Sequence, residues 1–285
     1  MECRICGVVT RTFSSTSTEE LDETFLNSEL RQRLSQLQLF QCSECGSLWA
    51  DDARTDASVL LDAYTRLTGS YFEPPPIPEQ YKQFYRSLEQ LAKRHAPGKT
   101  VLDVGCGDGL FLETLSNEWV KWGIEPSPIG VELARKRNLN VACGTLDNST
   151  GRYGVDLVCA LDVIEHVLEP HGFLEAVKNQ LEPGGIVLIL TGDSTSLPAR
   201  VAGPQWSYLR WCGHVSVFSA RGLQRILRDH GFQILAWKRC HHPASPGLIA
   251  WWRVHLLEPA RRALGRNRSW YPFWRDHQAV VARLT

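Results

Sequence analysis

The sequence predicts a doubly wound α/β domain, a parallel sheet with helices on both faces, preceded by a small metal-binding module. Three observations carry this reading. From residue 99 onward, short runs of strand formers alternate with helical segments. The first of these strands runs into "DVGCGDG", residues 103–109, where glycines let the backbone turn tightly. Ahead of the alternation stand two cysteine pairs, Cys3-x-x-Cys6 and Cys42-x-x-Cys45, with 35 residues between them.

Taken in chain order, the cysteine pairs come first. Two cysteines at this spacing bend back in a tight knuckle, and two knuckles present four thiolates to one tetrahedral ion, the arrangement Zn²⁺ prefers. Gly7 and Gly46 follow the pairs and suit the knuckle turn. With four sulfur ligands no position stays open for water, so a zinc ion here is structural. The excursion between the pairs places Leu21, Phe25, Leu30, Leu34 and Leu37 at roughly helical spacing. The alternative is four unrelated thiols. Residues 1–70 are thus expected to form a zinc-ribbon-like module, and the Pro cluster that follows marks a boundary near 70–78.

A helix is expected next, with Tyr81, Phe84, Tyr85, Leu88 and Leu91 on one face. Then come strand "TVLDVG", helix "GLFLETLSNE", strand "VKWGIEP" and helix "SPIGVELARKRN". Strands "LNVACG", "VDLVCALDV" and "GIVLILTGD" complete the parallel set. "SARGLQRILRDHGF" reads as a helix capped by Ser219 and stopped at Gly231, and "QILAWKRC" and "DHQAVVARLT" as two closing strands. Residues 193–217 and 241–274 are read as insertions on the acceptor side.

Ligands of such sheets sit beyond the carboxyl ends of the strands. The spacing G-x-G-x-G from Gly105 lacks the third glycine of dinucleotide enzymes, and Glu125, twenty residues on, ends the second strand. A carboxylate there accepts ribose hydroxyls. Asp103 and Asp108 would repel a pyrophosphate, so a phosphate-free, cationic nucleoside fits the loop better.

Together "LDVGCGDG", "GIEPSP", "CGTLDN", "DLVCALDVIEHVLEP" and "LEPGG" resemble the ordered motifs of the class I S-adenosylmethionine-dependent methyltransferases, over most of residues 99–237. The resemblance implies a seven-stranded Rossmann-like sheet and S-adenosylmethionine as cofactor. It implies that Asp103 and the backbone of Gly105, Cys106 and Gly107 hold the methionine end. Glu125, with Pro126 beside it, would hold the ribose. Leu146 and Asp147 would border the adenine, and Asp162 would lie near the methionine amino group. A zinc module ahead of this domain is similar to arrangements in bacterial methyltransferases of sugars and natural products.

Methyl transfer to a hydroxyl needs a base, and histidine suits that role near neutral pH. His214 and His166 are the candidates, with Glu165 a third; either histidine can instead be a bracing or packing residue. Trp206, Tyr208 and Trp211 offer flat walls for an acceptor. The segment "HHPASPGLIAWWRVHLLEPARRALGRNRSWYPFWR" is rich in Trp and Arg, which suits a helical flap over the pocket or a surface for a lipid- or carrier-linked acceptor.

Composition narrows the class. Lys plus Arg equal Asp plus Glu at 31 each, so no overall field draws the chain to nucleic acid. No secretory signal and no apolar run long enough for a membrane span is seen, and the odd cysteine count speaks for a reducing compartment; the cytoplasm is the expected home. The expected activity is methylation of a small-molecule, sugar or natural-product acceptor at oxygen. C-methylation of a keto-sugar, RNA methylation with the zinc module gripping substrate, and a non-catalytic scaffold stay open.

Overall fold

A computed structural model of the chain describes residues 2–8, 39–50, 61, 64–65, 79–203, 206–210, 213–243 and 275–285. The helix read between the cysteine pairs, the boundary near 70–78, Trp211 and most of segment 241–274 lie outside the described residues. In chain order the first elements are β1 (Leu39–Gln41), β2 (Leu48–Ala50), α1 (Glu79–Lys93), β3 (Thr100–Val104), α2 (Leu110–Thr114) and β4 (Val120–Glu125). There follow α3 (Pro128–Lys136), β5 (Asn140–Cys143), β6 (Val155–Leu161), α4 (Pro170–Gln180), β7 (Leu181–Gly192) and α5 (Leu197–Ala202). The last are α6 (Ser207–Arg210), β8 (Ser216–Val217), α7 (Ala220–Asp229), β9 (Phe232–Cys240) and β10 (His277–Leu284).

Seven strands form one sheet in the order β5-β4-β3-β6-β7-β10-β9. β5 through β7 pair in parallel, and β10 runs antiparallel between β7 and β9. The central strands are apolar on both faces, as a parallel sheet covered by helices requires. Leu102, Val158, Val187 and Ile189 pack into one layer, and Val101, Leu157, Ile186 and Leu188 into the other, all fully buried. The chain moves outward from β3 to β4 and β5, then returns to β6 on the opposite side. That reversal opens a crevice at the carboxyl ends of β3 and β6.

The expected cap is present: Ser219 Oγ accepts from Gly222 N at the start of α7, which Gly231, at φ 80°, ends. Ser127 Oγ, not singled out from the sequence, caps α3 in the same way by accepting from Gly130 N. α2 is shorter than the sequence predicts. Buried Glu89 on α1 accepts from Ser116 N (2.9 Å) and from Trp119 Nε1 (3.1 Å), which fixes residues 115–119 outside a helical path. Among the described residues no helix is long and apolar enough to cross a membrane.

A second, three-stranded sheet was not anticipated. Its order is β1-β2-β8, so a strand from the cysteine-bearing segment pairs with one from region 193–217. The four cysteines lie in the same apolar cluster as Phe218, Leu223 and Ile226, and the segment is thus packed into the α/β body.

Candidate active site and cysteine cluster

The glycine loop leaves β3 at Gly105, whose φ is 68°. A Cβ there would sit 2.7 Å from Val163 Cγ2, so both the conformation and the close approach require glycine. The loop's amides are turned inward. Gly105 N and Cys106 N both donate to the Ile124 carbonyl, at 2.8 and 3.1 Å. Gly107 N donates to Glu125 Oε2 and Ser127 N to Glu125 Oε1, each at 2.8 Å. A phosphate cradle needs free N–H groups pointing outward. Here Gly105, Cys106 and Gly107 spend theirs within the protein, and carboxylates stand around the loop instead. Gly123 on β4 completes the fit, since a Cβ there would meet Cys106 Sγ at 2.6 Å.

A cavity of about 680 Å³ opens over this loop. Asp103, Gly105, Cys106, Gly107, Glu125, Pro126, Leu146, Asp147 and Asp162 all line it. Burial and the neighbouring Glu125 push the Asp103 carboxyl well above the usual carboxylate range. Burial also raises Glu125, opposed by the N–H bonds from Ser127 and Gly107. Asp162, at φ 54°, is pushed up to about 7 by burial, against the pull of His277. Its Oδ1 is buried and accepts no hydrogen bond, with His277 Nε2 3.6 Å away. Three raised acids in one crevice are a low-dielectric site that favours a cation.

Asp108 differs from the sequence reading. It lines the cavity, but its charge is matched by Arg137 at 2.7 Å, and its Oδ1 accepts from Leu110 N, at the start of α2, at 3.2 Å. Asp147 is exposed at the cavity rim, and its Oδ1 accepts from Ser149 N (2.8 Å) and Ser149 Oγ (2.6 Å). These bonds hold its carboxyl below the usual range and stiffen the turn after β5.

On the other side of the crevice, a short 3-10 turn, Ile164–His166, follows β6. His166 lines the cavity together with Tyr64, Tyr81, Tyr85, Leu168 and Phe173. Its Nδ1 lies 2.8 Å from the Gly213 carbonyl, which can only accept, so Nδ1 carries the proton and Nε2 is left as the acceptor. The Tyr64 hydroxyl approaches the same Nδ1 at 2.5 Å. Burial pushes the imidazole below its ordinary value, and the nearby Glu165 pulls it back up.

The remaining expectations on this side are corrected by packing. His214 packs behind His166, with ring centroids 4.7 Å apart and planes tilted by 51°, and is not among the cavity-lining residues. Its Nδ1 donates to the Tyr208 carbonyl at 2.6 Å, and burial, then the His166 charge, hold it well below its ordinary value. Glu165 is fully buried and accepts from Tyr208 Oη (2.6 Å) and Thr191 Oγ1 (2.9 Å), the bonding of a brace. Trp206 and Tyr208 are stacked on one another inside a buried cluster and do not line the cavity. Tyr208 is held there by Gly192, whose N–H donates to its hydroxyl at 2.8 Å and whose missing Cβ leaves room for its ring. Sequence reasoning missed Tyr81 and Tyr85 as cavity residues, having read them only as a helix face.

The four cysteines converge as their spacing implies. Cys3, Cys6, Cys42 and Cys45 are buried, and their sulfurs lie within 4.8 Å of one another. Cys3 Sγ and Cys45 Sγ are 3.8 Å apart, and Cys6 Sγ and Cys42 Sγ 3.6 Å. A tetrahedron of sulfurs at the Zn–S length of about 2.3 Å has an edge of about 3.8 Å. Each knuckle closes through a glycine at positive φ: Gly7 N donates to Cys3 O, and Gly46 N to Cys42 O.

A model of a methyltransferase domain matches residues 78–236, from the start of α1 into β9. The chain belongs to this methyltransferase family. The ubiquinone biosynthesis O-methyltransferase of Bradyrhizobium diazoefficiens is 32% identical over 141 residues, 46% of this chain and 53% of that protein. The mitochondrial ubiquinone biosynthesis O-methyltransferase of Schizosaccharomyces pombe is 30% identical over 114 residues, 36% and 41% of the two chains. The chain spans about half the length of the curated relatives it matches. Among solved structures, the N-methyltransferase NodS from Bradyrhizobium japonicum, in complex with S-adenosyl-L-homocysteine, superposes with a TM-score of 0.54 at 13% identity, over 81% of this chain and 99% of that one. A methyltransferase from Thermotoga maritima superposes at 0.51 with 21% identity, over 72% and 92%. These superpositions speak for the fold.

Proposed function

We propose that the chain transfers a methyl group from S-adenosylmethionine to an oxygen of a small hydroxyl compound, with His166 as general base. One observation carries the reading: a cavity whose loop amides are spent internally and whose buried carboxyls, Asp103, Glu125 and Asp162, all stand raised. When bound there, the cofactor supplies an electrophilic methyl on a sulfonium. The residues present fit it. Asp103 and Asp162 would face the ammonium of its methionine end; Glu125, already oriented by two N–H bonds, would accept from the ribose hydroxyls; Leu146 and Asp147 would border the adenine. The cavity's size is within the roughly 300–1,000 Å³ of ligand sites.

On the acceptor side, His166 Nε2 takes the hydroxyl proton. The Nδ1 bond to Gly213 holds the ring in place and stabilises the imidazolium that forms. Tyr64, Leu168 and Phe173 make that side largely apolar, which suits an aromatic or otherwise hydrophobic hydroxyl compound. The O-methyltransferase names of the curated relatives agree with this choice, and the chain's zero net charge gives no support to an RNA acceptor. The cysteine cluster would hold one zinc ion, closed by four thiolates and therefore structural. It would tie the N-terminal knuckle to the body of the enzyme.

The test is methyl transfer from labelled S-adenosylmethionine to a panel of phenols, sugars and apolar alcohols by the full chain. Labelled ethers with the unaltered chain, and their loss with His166→Ala at unchanged S-adenosylhomocysteine affinity, are the expected result. Full turnover by His166→Ala would remove the base assignment.

A further inference from the structure

The cysteine-bearing segment is built into the wall that carries His166 and His214. β2 pairs antiparallel with β8, Leu48 opposite Val217 and Trp49 opposite Ser216. Between β8 and His214 lies Val215, whose N–H donates at 2.8 Å to the carbonyl of Glu165, the neighbour of His166. Two backbone connections therefore link the knuckle at Cys42–Cys45 to the cavity histidine.

A buried hydroxyl pair seals the joint. Ser47 and Ser219 are both fully buried. Ser219 N donates to Ser47 Oγ at 3.0 Å, and Ser219 Oγ donates to the Cys45 carbonyl while accepting from Gly222 N at 2.8 Å. Gly222 leaves the space in which Ser47 sits, since a Cβ there would fall 2.1 Å from Ser47 Oγ. On the flank, Ser194 Oγ donates to the Gly46 carbonyl at 2.9 Å. None of Ser47, Ser194, Ser219 and Gly222 lines the cavity or offers sulfur to a metal. Apolar residues could cover the same surface, whereas a fully satisfied polar network fixes one register and one distance. The network's geometry is thus where its value lies.

We infer that Ser47 and Ser219 are positioning residues for methyl transfer: they lock β8 against the cysteine knuckle and so set the place of His214 and His166 on the acceptor side. The inference rests on His166 as the base. It also explains why the knuckle docks here and not on the cofactor side, where no residue of 2–8 or 39–50 lines the cavity.

The experiment uses the full chain and its Ser47→Ala and Ser194→Ala variants; Ser194 lies at the rim of the joint and keeps the test alive if Ser47→Ala does not fold. Hydrogen exchange is followed over residues 213–219 and 163–168, the His166 and His214 ring nitrogens are followed by NMR against pH, and S-adenosylhomocysteine affinity is measured by calorimetry. Loss of one buried hydrogen bond should speed exchange at Val215 and Val217 by roughly tenfold or more, and shift the His166 titration toward its ordinary value. The S-adenosylhomocysteine Kd should stay within about twofold. Unchanged exchange and an unmoved His166 titration would overturn the inference, as would a Kd that weakens in step with them, the sign of general loosening. If the unaltered chain fails to bind S-adenosylhomocysteine, the functional reading falls, while the exchange data still judge the link from Ser47 to His166.

Discussion

Replacing Glu125 by Gln is the sharpest perturbation of the cofactor side, because size is kept and only charge and donor geometry change. The carboxylate is 5% exposed and takes one backbone N–H on each oxygen, from Gly107 and Ser127 at 2.8 Å. An amide has one oxygen and one NH₂, so in either orientation one of these two N–H groups faces another donor. Leaving a buried donor unmade costs about 1–3 kcal/mol, and this falls on the folded loop. A ribose bound through the carboxylate loses a charge-assisted bond worth about 1.5–3 kcal/mol, or roughly 10- to 150-fold in Kd.

Thermal melting and calorimetry with S-adenosylhomocysteine read the two parts separately. Glu125→Gln should lower the melting temperature and weaken S-adenosylhomocysteine by one to two orders of magnitude. Asp147→Asn, on an exposed carboxyl whose Oδ1 is already bonded to Ser149, should weaken it only a few-fold. A Glu125→Gln chain that melts normally and binds within about threefold would refute the reasoning, since the carboxylate would then neither order the loop nor meet the ribose.

Cofactor affinity should depend on pH with a definite sign. Asp162 sits at about 7 through burial, so it is largely protonated below that pH, and a cationic ligand needs it ionised. The S-adenosylmethionine Kd should weaken by up to about tenfold per pH unit below 7 and level off above, and Asp162→Asn should flatten the profile. His166→Gln should lower kcat by about 10²- to 10⁴-fold with the Kd for S-adenosylhomocysteine unchanged. Because burial depresses its pKa, the acid limb of kcat, read at saturating cofactor, should lie below the ordinary imidazole value of about 6.5, with turnover kept above it. Gly105→Ala puts an alanine at φ 68° with its Cβ 2.7 Å from Val163; a cost of about 2–4 kcal/mol should appear as a lower melting temperature and lost cofactor binding. Elemental analysis should find one zinc per chain, and Cys42→Ser should lose it and loosen residues 39–50 in hydrogen exchange.

The fold was legible because its signals are local. Strand runs bounded by Gly105, Gly144 and Gly192, and the cap at Ser219, place most elements within a residue or two. Glu125 and Asp103 were legible for the same reason, since strand ends and turns put them at the crevice. What the sequence hid depends on contacts between distant residues. Tyr208 and Trp206 look like acceptor walls until Glu165, Thr191 and Gly192 are seen holding Tyr208 inside the core. His214 looks as available as His166 until the turn after β6 puts one ring in front of the other. The pairing of β2 with β8 joins residues about 170 apart and leaves only a weak trace, Gly222 in the first turn of α7, where a helix former would be expected.

The central claim is that the crevice over Gly105–Gly107 selects a sulfonium nucleoside and rejects phosphates. Parallel calorimetric titrations of the full chain with S-adenosylmethionine and with NAD⁺ test it most directly. Saturable binding of the first at one site, displaced by S-adenosylhomocysteine, with no heat from the second, is predicted. Binding of NAD⁺ with none of S-adenosylmethionine would contradict it.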